Sequence, residues 1–171
     1  MAVALAFVDF SPATGAVVRM ARDTALALGM TLILMHVSIP DAEAEGRRRR
    51  TDFSRKGVAT ELHEYHQELE ILAVACTKFG VPTTPILVRG ASVRGSPVRK
   101  MVSEVKRIKP DLIVMGTHQH SRLFEAIFGS AESSVIHKAS CPILLIPSQN
   151  PSIAWPVVAR TNSRRKQSPG Q

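Results

Sequence analysis

Short apolar runs alternate with longer amphipathic stretches along this chain, and that alternation restricts the fold more than any other feature. Val3–Val8 is an unbroken apolar run, as is Asp111–Met115 (DLIVM) after its first residue, and Thr31–Val37 (TLILMHV) is apolar apart from Thr31 and His36. Runs of this length without polar alternation read as strands buried on both faces, the signature of parallel pairing. Between them the period changes. Val17, Ala21, Ala25 and Leu28 recur at helical spacing after Ser11-Pro12, which predicts a helix opening at Ser11 with Pro12 in its first position and Gly29 as its stop. Ala59–Phe79 predicts a second helix, with Leu62, Leu69, Leu72 and Cys76 inward and Gly80 as its end. Pro82–Arg89 reads as the third strand, and Pro85 inside it predicts a sheet edge, because a central strand needs every N–H. Ser96-Pro97 opens a third helix with Val98, Met101, Val102, Val105 and Ile108 inward, closed by Pro110. Gly116–Phe128 is a long connection, Gly129-Ser130 opens a fourth helix to Ala139, and Ile143–Ile146 is the fifth strand.

Strands alternating with helices imply right-handed crossovers and an open, Rossmann-like α/β sheet with helices on both faces. The 171 residues suffice for one such domain, assigned to residues 1–147. Apolar residues at 44% and charged residues at 21% exclude a chain that is disordered throughout. Two cysteines, Cys76 and Cys141, exclude a disulfide scaffold and read as reduced, semi-apolar residues. No apolar run approaches the roughly 20 residues that span a bilayer. The first ten residues reach an acid at Asp9 without a basic start, unlike a secretion signal. The expected setting is cytoplasmic, with no membrane partner.

The net charge of +8 is concentrated in two places. Arg47, Arg48, Arg49, Arg50, Arg55 and Lys56, against Asp52, lie in a predicted loop over residues 41–57; Arg160, Arg164, Arg165 and Lys166, with no acid, lie in the tail of residues 148–171. The tail is rich in Pro, Ser and Asn, lacks a sustained period, and reads as disordered. With one Trp and one Tyr, no aromatic platform interleaves with these charges, so nucleic acid is not the expected partner.

In an open α/β sheet, ligands sit beyond the carboxyl ends of the strands where strand order reverses. Asp9 follows the first strand, Val37 and Ser38 the second, Arg89-Gly90 the third, and Gly116-Thr117-His118 the fourth. A carboxylate at Asp9 can accept a hydrogen bond from an adenine amine or a ribose hydroxyl, or cap the helix after it. Gly116 permits close backbone approach or a positive φ. Gly129-Ser130 would place free N–H groups, a hydroxyl and a positive helix end together, which suits either a phosphate or an ordinary N-cap. His36, His118 and His120 fall near strand ends, and His63 and His66 lie on the second helix without HExxH spacing; all read as polar surface or loop residues rather than metal ligands. No Ser-His-Asp order, paired carboxylates or Lys-bearing P-loop marks a catalytic set.

The run from Asp111 to Pro147, DLIVMGTHQHSRLFEAIFGSAESSVIHKASCPILLIP, resembles the carboxyl half of the universal stress protein domain, and ALAFVDFSP and LILMHV fit its first two strands. The resemblance implies a five-stranded parallel sheet in order 3-2-1-4-5, a homodimer through Ile143–Ile146, and ATP or AMP as ligand. It places Asp9, Val37, Gly116, His118, Gln119, Gly129, Ser130 and Ala131 around that ligand. Many members carry Gly-x-x-Gly, nine residues, then Gly-Ser or Gly-Thr. Here Gly116 and Gly129-Ser130 keep the spacing, but Gln119 replaces the middle glycine and Glu132 stands where nucleotide-binding members carry a small hydroxyl residue. Three functions follow: an ATP- or AMP-binding stress-response regulator; a dimeric interaction module of the same family, with an unidentified protein partner, that has lost the nucleotide; and a nucleotide-hydrolysing or flavoprotein-like enzyme.

Overall fold

A computed structural model describes residues 1–38, 53–89, 97–117 and 135–147. Five strands, β1 (Val3–Phe7), β2 (Thr31–Ser38), β3 (Thr83–Arg89), β4 (Leu112–Gly116) and β5 (Ile143–Ile146), form one parallel sheet in the order β3-β2-β1-β4-β5. Helices α1 (Thr14–Ala27), α2 (Phe53–Lys78), α3 (Pro97–Ile108) and α4 (Val135–Lys138) occur between them. The order is the one implied by the resemblance, and β3, which carries Pro85 opposite Leu34, is an edge strand as expected.

Alternation along the strands divides the core in two. Ala4, Ala6 and Val8 turn to one face with Leu32 and Leu34, where α1 and α2 cover them with Val17, Val18, Ala21, Ala25, Leu69, Leu72 and Cys76. Leu5, Phe7, Met35, Val37, Ile113 and Met115 turn to the other, beneath Met101, Val102 and Val105 of α3 and Val135 of α4. The alanines of β1 meet alanines of α1, so small residues on both sides let this helix lie close to the central strand. Burial pushes the Cys76 thiol up to about 11, and neither cysteine is in a disulfide.

Three expectations are corrected. Helix α1 starts at Thr14, three residues after Ser11, because Asp9 and Ser11 accept bonds from the Ser11 and Ala13 N–H groups and fold Ser11–Ala13 into a turn. Leu28 is not on its inward face; it lies past the last helical residue and is exposed. Helix α2 starts at Phe53 rather than Ala59. Gly57 does not break it, since one interior glycine costs only about 1 kcal/mol and the neighbouring Arg55, Lys56 and Ala59 are good helix formers. The predicted basic loop therefore gives its last five residues to a helix; residues 41–52 and the tail 148–171 lie outside the described residues.

Glu104 is a carboxylate on the covered side of α3, only 7% exposed. Lys100 Nζ lies 3.1 Å from it and Arg107 Nε 2.7 Å. Burial alone would raise its pKa, but the hydrogen bonds from Arg107 and Lys100 outweigh that and hold it below its ordinary value. A depressed folded pKa gives stability that is present above the unfolded pKa and lost as pH falls through the folded one. Both cations are partly solvated, so Glu104→Gln is expected to lower stability by only about 1 kcal/mol at pH 7 and to flatten the loss below pH ~4. Urea midpoints of both proteins at pH 7 and pH 3 check this, the gap closing at the lower pH.

Candidate functional site

Strand order reverses between β1 and β4, and their carboxyl ends form the seam where an open sheet binds ligands. The paired register ends at Ala6 opposite Val114, three residues before Asp9 and two before Gly116. Asp9 and Gly116 therefore leave the sheet at the same end of the same seam.

Asp9 is half-buried and fixed by the turn it builds. Its Oδ1 accepts the Ser11 N–H at 3.0 Å and the Thr14 hydroxyl at 3.3 Å. The carboxylate thus stands at the positive end of α1, where the helix dipole favours an anion. Both sequence readings of Asp9 are compatible with this: one oxygen ties the helix start, and a carboxylate can accept several bonds.

Gly116 does not have a positive φ; among the described residues only Gly29 and Gly80 are left-handed glycines. Its use is close approach. A Cβ there would lie 3.2 Å from Val17 Cγ2 and 3.9 Å from both the Ala13 Cβ and the Ile146 carbonyl, so its bare backbone admits the start of α1 against the sheet. The next residue, Thr117, donates its N–H to the Ile146 carbonyl at 2.9 Å, joining the end of β4 to β5. Val37 lies within β2 rather than after it, opposite Val88, and is buried on the α3 face. It supplies an apolar wall, not a polar contact. His118, Gln119, Gly129, Ser130 and Ala131 lie outside the described residues.

Beside Asp9 the structure brings together three rings that the sequence reading did not join. Phe10 stacks on Tyr65 of α2 with centroids 5.3 Å apart and planes 5° apart; His36 of β2 lies 4.8 Å from Phe10 and 4.5 Å from Tyr65. His36 is buried, not a surface or loop residue, and its Nδ1 lies 2.7 Å from the Val8 carbonyl, so the ring must donate from Nδ1. Its position two residues beyond Leu34 on the same strand face was the available signal. For Tyr65 the signal was its place four residues before the buried Leu69. Tyr65 donates its hydroxyl to Glu61 at 3.1 Å. Phe10 itself has φ +54°, a left-handed conformation that costs a side-chain-bearing residue roughly 1–2 kcal/mol. Ring packing worth about 0.5–1.5 kcal/mol per pair is of the size needed to hold it. His63 and His66 are exposed on α2, as expected, and among the described residues no group of three metal-ligating side chains converges.

A profile of the universal stress protein family matches residues 3–147. The chain belongs to the universal stress protein family. Its relatives include universal stress protein A homolog 1 of Coxiella burnetii, 27% identical over 83% of this chain and 93% of that protein. A universal stress protein structure from Burkholderia pseudomallei superposes with a TM-score of 0.61 at 22% identity, covering 85% of this chain and 96% of the other. The universal stress protein of Archaeoglobus fulgidus in complex with dAMP superposes at 0.55 with 21% identity, over 85% and 97%. These likenesses show the universal stress protein fold in the five-stranded sheet described above. Among the described residues, no helix is long and apolar enough to cross a membrane.

Proposed function

We propose that residues 1–147 form a stress-response regulatory module that binds ATP or AMP at the β1–β4 seam, with adenine near Asp9 and Val37 and phosphates near Gly116, Gly129 and Ser130. The observation that carries this reading is Asp9: a carboxylate held in a fixed turn at the reversal point of the sheet, on the same seam as Gly116. The dAMP complex of the Archaeoglobus fulgidus relative supports an adenine ligand. The module would dimerise through β5, a sheet-edge strand of four apolar residues whose Leu145 is 38% exposed; a bare apolar edge favours pairing. Light scattering at micromolar concentration should then give twice the chain mass.

A second reading, a dimeric interaction module without nucleotide, is favoured by Gln119 and Glu132, which depart from the family's phosphate motif. A carboxylate facing a triphosphate is repulsive, and a side chain at position 119 obstructs a close backbone path. Replacing Gln119 by Gly and Glu132 by Ser together is expected to tighten ATP binding about five- to thirty-fold, with a smaller gain for AMP, which carries less charge. Calorimetric titration checks the size and the ATP–AMP difference. Chromatography of nucleotide released on denaturing the purified protein separates the two readings: adenine nucleotide near one per chain supports the first, none after saturation with ATP and removal of excess supports the second.

A further inference from the structure

The ring cluster of Phe10, His36 and Tyr65 stands outside the proposed contacts to nucleotide, yet it grips the residue next to Asp9. Phe10 is left-handed without being glycine, and a backbone of that kind persists only where its surroundings over-determine it. Three elements supply that determination. Tyr65 reaches across from α2 and stacks nearly parallel on the Phe10 ring. His36 closes the third side and is itself pinned to the Val8 carbonyl, the residue before Asp9. The Asp9 carboxylate then takes the Ser11 N–H and the Thr14 hydroxyl, so its direction depends on the turn that Phe10 enters.

We infer that Tyr65 is a positioning residue for the adenine site: by holding Phe10 left-handed from α2, it sets the direction of the Asp9 carboxylate and thereby the affinity for adenine nucleotide. This rests on the nucleotide reading of the seam for its effect on affinity, but not for its effect on the Asp9 turn. Linkage makes the effect reciprocal: a ligand that fixes Asp9 also fixes the Tyr65 end of the cluster. Tyr65 is the sole tyrosine of the chain, so its ring signals report this directly.

The test compares Tyr65→Leu, Tyr65→Phe and Phe10→Gly in the full chain. The first readout needs no ligand: hydrogen exchange of the Ser11 amide, with the Leu34 amide in the core as a control for folding. The second is titration with ATP and AMP. Tyr65→Leu should speed Ser11 exchange by about ten-fold or more and weaken nucleotide about ten-fold, while Tyr65→Phe, which keeps the stacked ring, restores both to within about two-fold. Phe10→Gly leaves the left-handed backbone accessible but removes the ring that Tyr65 stacks on, so it should match Tyr65→Leu in both readouts, and adding Tyr65→Leu to it should change neither further. Should Tyr65→Leu fail to fold, exchange and titration of Phe10→Gly decide alone, with faster Ser11 exchange and weaker binding expected. Unchanged Ser11 exchange in the folded Tyr65→Leu protein, or an equal loss of affinity in the Phe10→Gly background, overturns the inference. If the wild type binds neither nucleotide, the proposed function fails, and Ser11 exchange alone decides whether Tyr65 holds the Asp9 turn.

Discussion

Phe7→Ala is expected to remove about 3–5 kcal/mol of folding stability, a large part of the 5–15 kcal/mol typical of a domain. Phe7 is the last residue of the central strand and is 2% exposed. It lies in the core layer of Met35, Val37 and Met115 beneath α3 and α4. Strands β2 and β4 flank β1 on both sides, so the surrounding backbone cannot collapse into the space that the ring leaves. The urea midpoint should fall sharply with an unchanged slope. Met20→Ala, on the outer side of α1, should stay within about 0.5 kcal/mol of the parent. A loss under 1 kcal/mol for Phe7→Ala would mean that the two-layer core is wrongly assigned.

Asp9→Ala is expected to weaken ATP and AMP binding by about ten- to a hundred-fold, the range of one or two lost hydrogen bonds to a charged acceptor. Its effect on stability should be smaller, about 1–2 kcal/mol, because it also removes the bonds to Ser11 and Thr14 that set the start of α1. Asp9→Asn separates the two roles: its amide oxygen can keep the turn, so stability should recover more than affinity. Calorimetry and urea unfolding on the three proteins measure both. A loss of stability with ATP and AMP affinity unchanged would make Asp9 a helix-capping residue only.

The strands were legible because a parallel strand covered on both faces has no room for polar alternation. Ile143–Ile146 matches its expected bounds, and Pro85 marked the edge strand, since only there can a missing N–H go unpaired. Helix starts were less legible because they depend on side chains choosing among backbone partners. Ser11 looked like the residue before a helix, but its hydroxyl and that of Thr14 belong to a turn organised by Asp9. Gly57 closed the predicted basic loop, but its local cost is small beside the packing of a 26-residue helix. Glu104 carried a readable sign, Lys100 and Arg107 four residues before and three after, the partners a buried acid needs. The seam was legible to the extent that strand ends were: Asp9, Val37 and Gly116 needed only the sheet order. The ring cluster was not, because residues 10, 36 and 65 meet through tertiary packing across three elements.

The most direct test of nucleotide binding at the seam is a map of backbone amide shifts as ATP is added to the ¹⁵N-labelled protein. The account predicts saturable shifts at Asp9, Ser38, Gly116 and Thr117, with the amino-terminal ends of the strands, Val3 and Thr31 among them, unmoved. An absence of saturable shifts at millimolar ATP, or a set centred away from the β1–β4 seam, would contradict it.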